Sequence, residues 1–218
     1  MLFGYELEFF CINKRNEIVV PKPELHGFVD GGGILLEARG EPMPHPRLAE
    51  ASLRLKIADL KYQTRKAKRR LLLADEGDVS PRSLAYARQH KKYFQTEATF
   101  TPWERFRNPV TLTHPNPGHY RAGLHIHLSK PDGYDPKKFT PFDIIYPVRL
   151  LDQEFANLIL GANRHLGAYR MQDYGVEYRS LPATTKLSDV TRVLCKMLEP
   201  REFEAYPDSQ IPDDEDDL

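Results

Sequence analysis

The chain has 218 residues, 40% of them hydrophobic, and its 31 basic and 31 acidic residues give a formal net charge of zero. This composition predicts one globular domain over residues 1–205 and an acidic, disordered segment over residues 206–218. Two distant cysteines fit a reducing cytosol better than a disulfide framework and exclude a Cys-based zinc module. No apolar run approaches the roughly 20 residues that span a bilayer. We therefore expect a soluble cytoplasmic protein without a membrane partner.

Two carboxylates stand two positions apart near the start of the chain, in the run Gly-Tyr-Glu-Leu-Glu-Phe-Phe at residues 4–10. A β-strand points alternate side chains to opposite faces, so Glu6 and Glu8 share one face of the predicted strand. Adjacent like charges repel unless they are protonated or neutralised, and a divalent cation such as Mg²⁺ neutralises them. The pair is a candidate metal site, with solvated acids on a half-exposed strand as the alternative.

The segments that follow predict a hairpin, a turn, a strand and a helix. Residues 17–20 read as a second strand that closes a hairpin with the first. The glycines at 31–33 lack the Gly-Lys-Ser/Thr of a phosphate-binding loop, and we expect a flexible turn before a strand that carries Glu37. Apolar residues at helical spacing then predict a long helix over residues 48–74, with Gly77 as its stop.

The predicted helix over residues 48–74 is rich in lysine and arginine. Clustered cations contact nucleic-acid phosphates, so this surface is a candidate site for nucleic acid or for an acidic protein. No interleaved aromatic platform of the kind that single-stranded binders use occurs within it. A solvated helix face is the alternative that we favour.

The second half of the chain opens with a short helix that Ser80 and Pro81 can start. A Pro-rich, His-containing loop at residues 113–119 follows, and its length is typical of lids and substrate loops. The run Gly-Leu-His-Ile-His-Leu-Ser at residues 123–129 predicts a strand that carries His125 and His127 on one face. These two imidazoles are candidate metal or phosphate contacts.

The remaining elements are two helices, a loop and a strand. Thr140 and Pro141 predict the start of a helix through about residue 160, and Pro147 should either bend this helix or mark its true start. A loop with two arginines follows at residues 163–170, and then a strand that contains Glu177 and Arg179. Ser188 is the predicted cap of a last helix.

If the four polar strands pair in one sheet, one of its faces is apolar and the other gathers charged groups. These are Glu6, Glu8, Glu37, Arg39, His125, His127, Glu177 and Arg179. Carboxylates and histidine suit divalent cations, and arginines suit phosphate oxygens. The pattern therefore predicts a site for a polyphosphate with its metal ions.

Four of these motifs, in this order, resemble those of the glutamine synthetase and glutamate–cysteine ligase superfamily. The most similar members are the compact phage-type carboxylate–amine ligases, or amidoligases. The matching motifs are Glu-x-Glu at 6–8, His-x-His-x-Ser at 125–129, the paired-arginine loop at 163–170 and Glu-x-Arg at 177–179. The resemblance implies an α+β fold with a glutamine-synthetase-like curved antiparallel sheet, helices on one face and the active site in the concave face.

The resemblance also implies an activity. The protein would be an ATP-dependent carboxylate–amine ligase that works through an acyl phosphate with Mg²⁺ or Mn²⁺, in the host cytoplasm if the chain is phage-encoded. Its substrates would be ATP, an unidentified carboxylate and an unidentified amine.

The resemblance assigns roles to individual residues. One Mg²⁺ would be held by Glu8 and Glu37, with Asp30 as a further candidate ligand, and a second by Glu6, His125 and Glu177. His127 would lie by phosphate or by the acceptor carboxylate, and Ser129 by the nucleotide. The transferring phosphoryl group would be contacted by Arg164, Arg170 and Arg179.

Three other functions fit parts of the pattern. A guanidine phosphotransferase on the same scaffold would phosphorylate its acceptor and stop there. A His-x-His metalloenzyme of cupin type would use iron or zinc, but it leaves Glu6, Glu8 and Arg179 unexplained. A non-catalytic protein would bind nucleic acid or a partner through the basic helix, with the acidic segment competing for that surface.

Overall fold

The computed structural model describes residues 1–29, 34–89, 118–129, 141–172 and 174–199. The strands are β1 (Leu2–Ile12), β2 (Leu36–Arg39), β3 (Arg70–Leu72), β4 (Glu76–Asp78), β5 (His119–Arg121), β6 (Gly123–Ser129), β7 (Tyr169–Gln172) and β8 (Gly175–Pro182). The helices are α1 (Pro46–Lys66), α2 (Pro81–Gln89), α3 (Pro141–Gly161) and α4 (Leu187–Lys196), with a 3₁₀ turn at Pro23–Phe28. Asp30, the triple glycine, nearly all of the 113–119 loop and the acidic segment lie outside the described residues.

Six of the described strands form one antiparallel sheet in the order β2-β1-β6-β8-β7, with β3 pairing the far end of β1. The four polar strands predicted from the sequence therefore lie side by side. The register places Glu6 opposite His125 and His127 opposite Glu177. Directly opposed residues on paired strands share a face, so the predicted charged face is confirmed.

The other face of the sheet carries the helices. The Tyr5 hydroxyl lies 3.3 Å from Thr191 Oγ1 on α4, and the Tyr178 hydroxyl donates to Asp152 on α3 at 2.6 Å. Tyr5 alternates with Glu6 and Tyr178 with Glu177, so α3 and α4 lie opposite the charged face. Helix α1 packs against β1 and α4, which closes the core on that side. The α+β class with helices on one face is confirmed at this level.

A bulge interrupts the pairing of β6 with β8 beside His125. Leu124 pairs with Leu181 and Ile126 with Tyr178, so His125 faces two residues of β8, Arg179 and Ser180. Because β8 has one extra residue here, Tyr178 and Leu181 both lie on the apolar face of the sheet, although they are three positions apart. Bulges re-aim side chains and are frequent next to functional sites.

The predicted helix over residues 48–74 was wrong at its C-terminal end. Helix α1 ends at Lys66 because Lys68 adopts a left-handed conformation with a φ of 56°. The Arg69 amide then donates to Thr64 O at 2.8 Å, and the Lys68 amide to Arg65 O at 2.9 Å, which is the hydrogen-bond pattern of a Schellman cap. The next residues form β3, and Gly77 lies in β4.

Three smaller predictions were also wrong. Residues 17–20 are not a regular strand, since Ile18 makes isolated bridges to Ile12 and to Val79. Arg170 lies on β7 and not in a loop. Helix α4 has Lys186 at its N-cap position, two residues before the predicted Ser188 cap. The short helix after Ser80 and the helix from Pro141 to about residue 160 are confirmed, and Pro147 lies inside the latter.

Among the described helices, none is both long and apolar enough to cross a membrane.

Replacing Gly175 by alanine should destabilise the protein by roughly 2–3 kcal/mol, because an added Cβ would overlap the Leu128 carbonyl oxygen on β6. Gly161 is the matched control, since nothing lies within 4 Å of a Cβ built there. Urea unfolding followed by circular dichroism measures both variants. Equal stabilities of the two alanine variants would contradict the described pairing of β6 with β8.

Candidate functional site

The charged face is built from rows of residues that run across the strands. One row contains Arg39, Glu6 and His125, and the neighbouring row contains Glu37 and Glu8. A third row joins His127 to Glu177 and then to Arg170. Strand alternation alone puts these side chains on one face, and the register brings them together.

Glu177 is the most deeply buried acid of the site, with 0% of its surface exposed. Its Oε2 accepts hydrogen bonds from Arg170 Nε at 2.8 Å and from Gln172 Nε2 at 2.6 Å, and Arg170 Nη2 lies 2.6 Å away. Burial favours the neutral acid, but His125 and Arg179 together with the other nearby cations lower the pKa of Glu177. The carboxyl is therefore held as a buried anion.

Glu6 and Glu37 form an acidic pair that Arg39 bridges. Arg39 Nε lies 3.2 Å from Glu6 Oε1, and Arg39 Nη2 donates to Glu37 Oε2 at 2.6 Å. Burial, together with the neighbouring Glu6, raises the pKa of Glu37 to about 9. Burial also opposes ionisation of Glu6, but its contacts with His125 and His127 lower the pKa of Glu6 overall. At neutral pH the pair holds one proton, on Glu37.

The two histidines lie between these acids. His125 Nδ1 is 3.3 Å from Glu177 Oε1 and 3.8 Å from Glu6 Oε2. His127 Nε2 is 3.2 Å from Glu6 Oε2, while its Nδ1 makes a hydrogen bond with the Tyr174 hydroxyl. The hydroxyl therefore orients the His127 ring so that Nε2 points toward the acids.

Three ligand-type atoms on this face are buried without a hydrogen-bond partner among the described residues. They are His125 Nδ1, His127 Nε2 and Glu177 Oε1. Two sets of side chains bring such atoms within 4.8 Å of one another: Glu6, His127 and Glu177 form one set, and Glu6, Glu37 and His125 form the other.

Buried polar atoms without partners are costly, so these sets fit a bound divalent cation. Their carboxylate and imidazole donors suit Mn²⁺ as well as Mg²⁺.

Glu8 has a different environment from the other acids. Its Oε2 accepts from the Gly123 amide at 2.6 Å and lies 3.9 Å from His125 Nε2, and Glu8 belongs to neither three-residue set. An added Cβ at Gly123 would lie 2.8 Å from Arg164 Nη2 and 2.9 Å from His125 Nε2. A larger residue at position 123 would push against both side chains, so glycine is required where the Gly123 amide donates to the Glu8 carboxylate.

Arg164 holds strands together from the edge of the site. Its guanidinium donates to the carbonyl oxygens of Ala122 and Arg179, each at 3.0 Å. Burial lowers the pKa of Arg164, against the effect of Glu8. Asn163 adopts a left-handed conformation at the end of α3, and the Arg164 amide donates to Ile159 O at 3.0 Å, so the helix end places this arginine.

The remaining predicted residues lie at different distances from the acids. Arg179 Nε is 3.5 Å from Glu177 Oε1, within the site. Ser129 lies at the end of β6, opposite Leu2 and Gly175, two residues beyond His127 on the same face. All ten predicted site residues are therefore described, and only Ser129 lies at the margin.

Two side chains of the site were not predicted from the sequence. Gln172 stands two positions after Arg170 and donates to Glu177, which strand alternation would have indicated had β7 been recognised. Tyr174 precedes Gly175 in the turn between β7 and β8, and no local pattern marks it as a partner of His127.

No protein-family model, curated protein or solved structure matches this chain.

The pH dependence of stability should reveal the proton on Glu37. Its folded pKa of about 9 lies above the ordinary value of 4.5, so its stabilising contribution is fully present below pH 4.5 and is lost as the pH rises through 9. In metal-free buffer, the Tm of the native chain should fall between pH 6 and pH 9.5. The Tm of Glu37→Gln should fall by at least about 3 °C less over the same range.

The exposed Glu24 on the 3₁₀ turn supplies the control, because Glu24→Gln should follow the native curve. Parallel curves for all three proteins in calorimetry would show that Glu37 is ionised in the folded state.

Proposed function

We propose that this protein is an ATP-dependent carboxylate–amine ligase with a glutamine-synthetase-like sheet, and that the charged face is its active site. The observation that carries the proposal is the convergence of buried ligand atoms of His125, His127 and Glu177, which lack a hydrogen bond among the described residues, beside Glu6 and Glu37. The family resemblance of the four motifs supports the same assignment.

The charges of the face suit a nucleotide polyphosphate better than they suit a cation alone. Four acidic side chains offer oxygen ligands to divalent ions, while Arg39, Arg170 and Arg179 provide guanidinium groups in the same place. A surface with acids only would repel phosphates, and one with arginines only would not hold the ions that accompany ATP. The mixture is what a metal–nucleotide complex requires.

Bound Mg²⁺ or Mn²⁺ would offset phosphate charge and make the terminal phosphoryl group a better electrophile. Glu6, Glu37, His125 and Glu177 are the residues that would hold it. Arg170 and Arg179, which lie beside Glu177, would contact phosphoryl oxygens once Glu177 shares its charge with a cation. Tyr174 keeps His127 oriented, and Arg164 keeps the strand ends in register.

The proposed reaction has two steps. A carboxylate oxygen attacks the γ-phosphorus of ATP, the bond to the bridging oxygen of ADP breaks, and an acyl phosphate forms. An amine nitrogen then attacks the acyl carbon, phosphate leaves with one oxygen of the original carboxylate, and the amine releases a proton. Both transition states place charge on oxygen, which fixed cations stabilise, and neither needs a protein nucleophile.

Stabilisation by ATP should require a divalent cation and an intact Glu177. The native chain should gain several degrees in Tm with ATP and Mg²⁺ together, and much less with either alone, because a ligand that binds only the folded state raises Tm. Glu177→Gln should abolish most of that gain. The control is Glu154→Gln, which removes an acid on α3 that faces Arg192.

A thermal shift with zinc or iron alone, and none with ATP, would contradict the ligase and favour the His-x-His metalloenzyme. Equal ligand-induced shifts in the two variants would place the nucleotide elsewhere on the protein.

The products of the reaction distinguish the ligase from a phosphotransferase. With ¹⁸O-labelled amino acids and short peptides as carboxylates, the ligase should release phosphate that carries one ¹⁸O, together with an amide of acid and amine. A phosphotransferase would instead leave a stable phosphorylated acceptor and release no labelled phosphate. Mass spectrometry of phosphate and of the organic products measures both outcomes.

A further inference from the structure

Helix α1 carries an exposed apolar stripe on the side that faces away from the core. Leu48, Leu55 and Tyr62 recur every seven residues and are 52%, 73% and 59% exposed. Ala51 and Ala58 lie between them and are also exposed. Apolar residues at alternating spacings of three and four form a seam along one line of a helix, as in coiled coils. Lys66 Nζ lies 5.6 Å from the centroid of the Tyr62 ring, and all three large side chains of the seam remain more than half exposed.

Basic side chains border the stripe. Residues 46–70 contain nine basic and two acidic residues, an excess of seven positive charges. Arg54 pairs with Glu50 at 2.5 Å and Lys56 with Glu41 at 3.0 Å. By contrast, the exposed side chains of Arg47, Lys61, Arg65 and Lys66 make no ion pair within the described part of the chain.

Helix α4, the last described element, packs close to α1. Its residue Cys195 lies near Tyr5, as does Glu50 from the first turns of α1. The 19 residues from 200 to 218 can span at most about 60 Å. Helix α1 has 21 residues and is about 31 Å long, so the segment can reach every part of it.

The acidic segment matches the surface in charge and in apolar content. Residues 206–218 hold six acids and no base, and they also contain Tyr206, Ile211 and Leu218. The charged face of the sheet suits this segment less well, because arginines of that face already pair with its own acids, Arg39 with Glu6 and Glu37 and Arg170 with Glu177.

A second copy of the chain also suits α1 less well. In an antiparallel pair of α1 helices, Arg47, Arg54 and Lys61 would lie along one flank and face the same residues of the partner copy. A nucleic-acid backbone would satisfy the cations but not the apolar stripe.

We propose that the acidic residues 206–218 bind within the same chain along the exposed face of α1, where their carboxylates meet Arg47, Lys61, Arg65 and Lys66. The segment screens a basic and apolar surface from other polyanions. Such binding does not require the segment to adopt a regular structure.

Zero-length carbodiimide cross-linking of the full chain tests the proposal, because it joins a lysine to a carboxylate only where the two touch. We expect links from Lys61 and Lys66 to residues 213–217 to dominate over links from Lys14, which is exposed on the turn after β1 and lies outside α1. Their yield should fall at least about threefold between about 50 mM and about 500 mM salt. Native chain mixed with ¹⁵N-labelled chain should give links within one copy only.

Two double variants reverse the charge of arginines and keep Lys61 and Lys66, the lysines whose links are measured. Arg47→Glu with Arg65→Glu should lower the yield of the α1 links at least about threefold. Arg15→Glu with Arg82→Glu, two exposed cations outside α1, should leave it unchanged. Circular dichroism confirms that both double variants fold.

Three results would overturn the proposal. The first is a yield from Lys14 equal to that from the α1 lysines. The second is a set of links that join labelled to unlabelled copies, which would make a second copy the occupant. The third is elution from heparin at the same salt concentration for the native chain and for a full-length variant with Asn or Gln at residues 213–217.

Discussion

A single buried carboxylate holds the charged face together. Glu177 is fully buried, and its Oε2 is taken up by Arg170 and Gln172 from the neighbouring strand. Its Oε1 is thereby left to face His125 and Arg179 across the sheet. An uncompensated charge at this depth would cost several kcal/mol, so the surrounding cations are a condition of the fold as well as of the site. Side chains from β6, β7 and β8 therefore surround this one carboxylate.

Much of this arrangement could be predicted from strand alternation. The acids of β1 and the histidines of β6 stand at positions i and i+2, so each pair shares a face of its strand. The residues that alternate with them point to the other face and are apolar. The order of strands could not be read from these patterns alone, since register depends on which side chains meet after the chain has closed on itself. The shared face of Glu6, His125 and Glu177 was therefore a prediction, while their distances came only from the structure.

The errors have physical causes that local sequence does not reveal. A Schellman cap commonly has glycine at the left-handed position, but here Lys68 takes that position, so the end of α1 carries no recognisable signal. Asn163 has the same role at the end of α3. Strand β7 is only four residues long, and it forms because Tyr169 and Arg170 pair with β8. The site residues on short elements, Gln172 and Tyr174, were missed for the same reason.

The position of β1 in the sheet has a consequence for how the chain folds. Strand β1 precedes the other described strands, yet it lies inside the sheet, and its contact with β6 joins Glu8 to Gly123 across 115 positions. During synthesis, β2 and β3 can pair with one edge of β1 early, but the other edge stays unpaired until residues 123–129 have been made. Pairing over such separations is slow because the loop must close before any contact forms. Newly made chains should thus be most prone to aggregation before β6 leaves the ribosome.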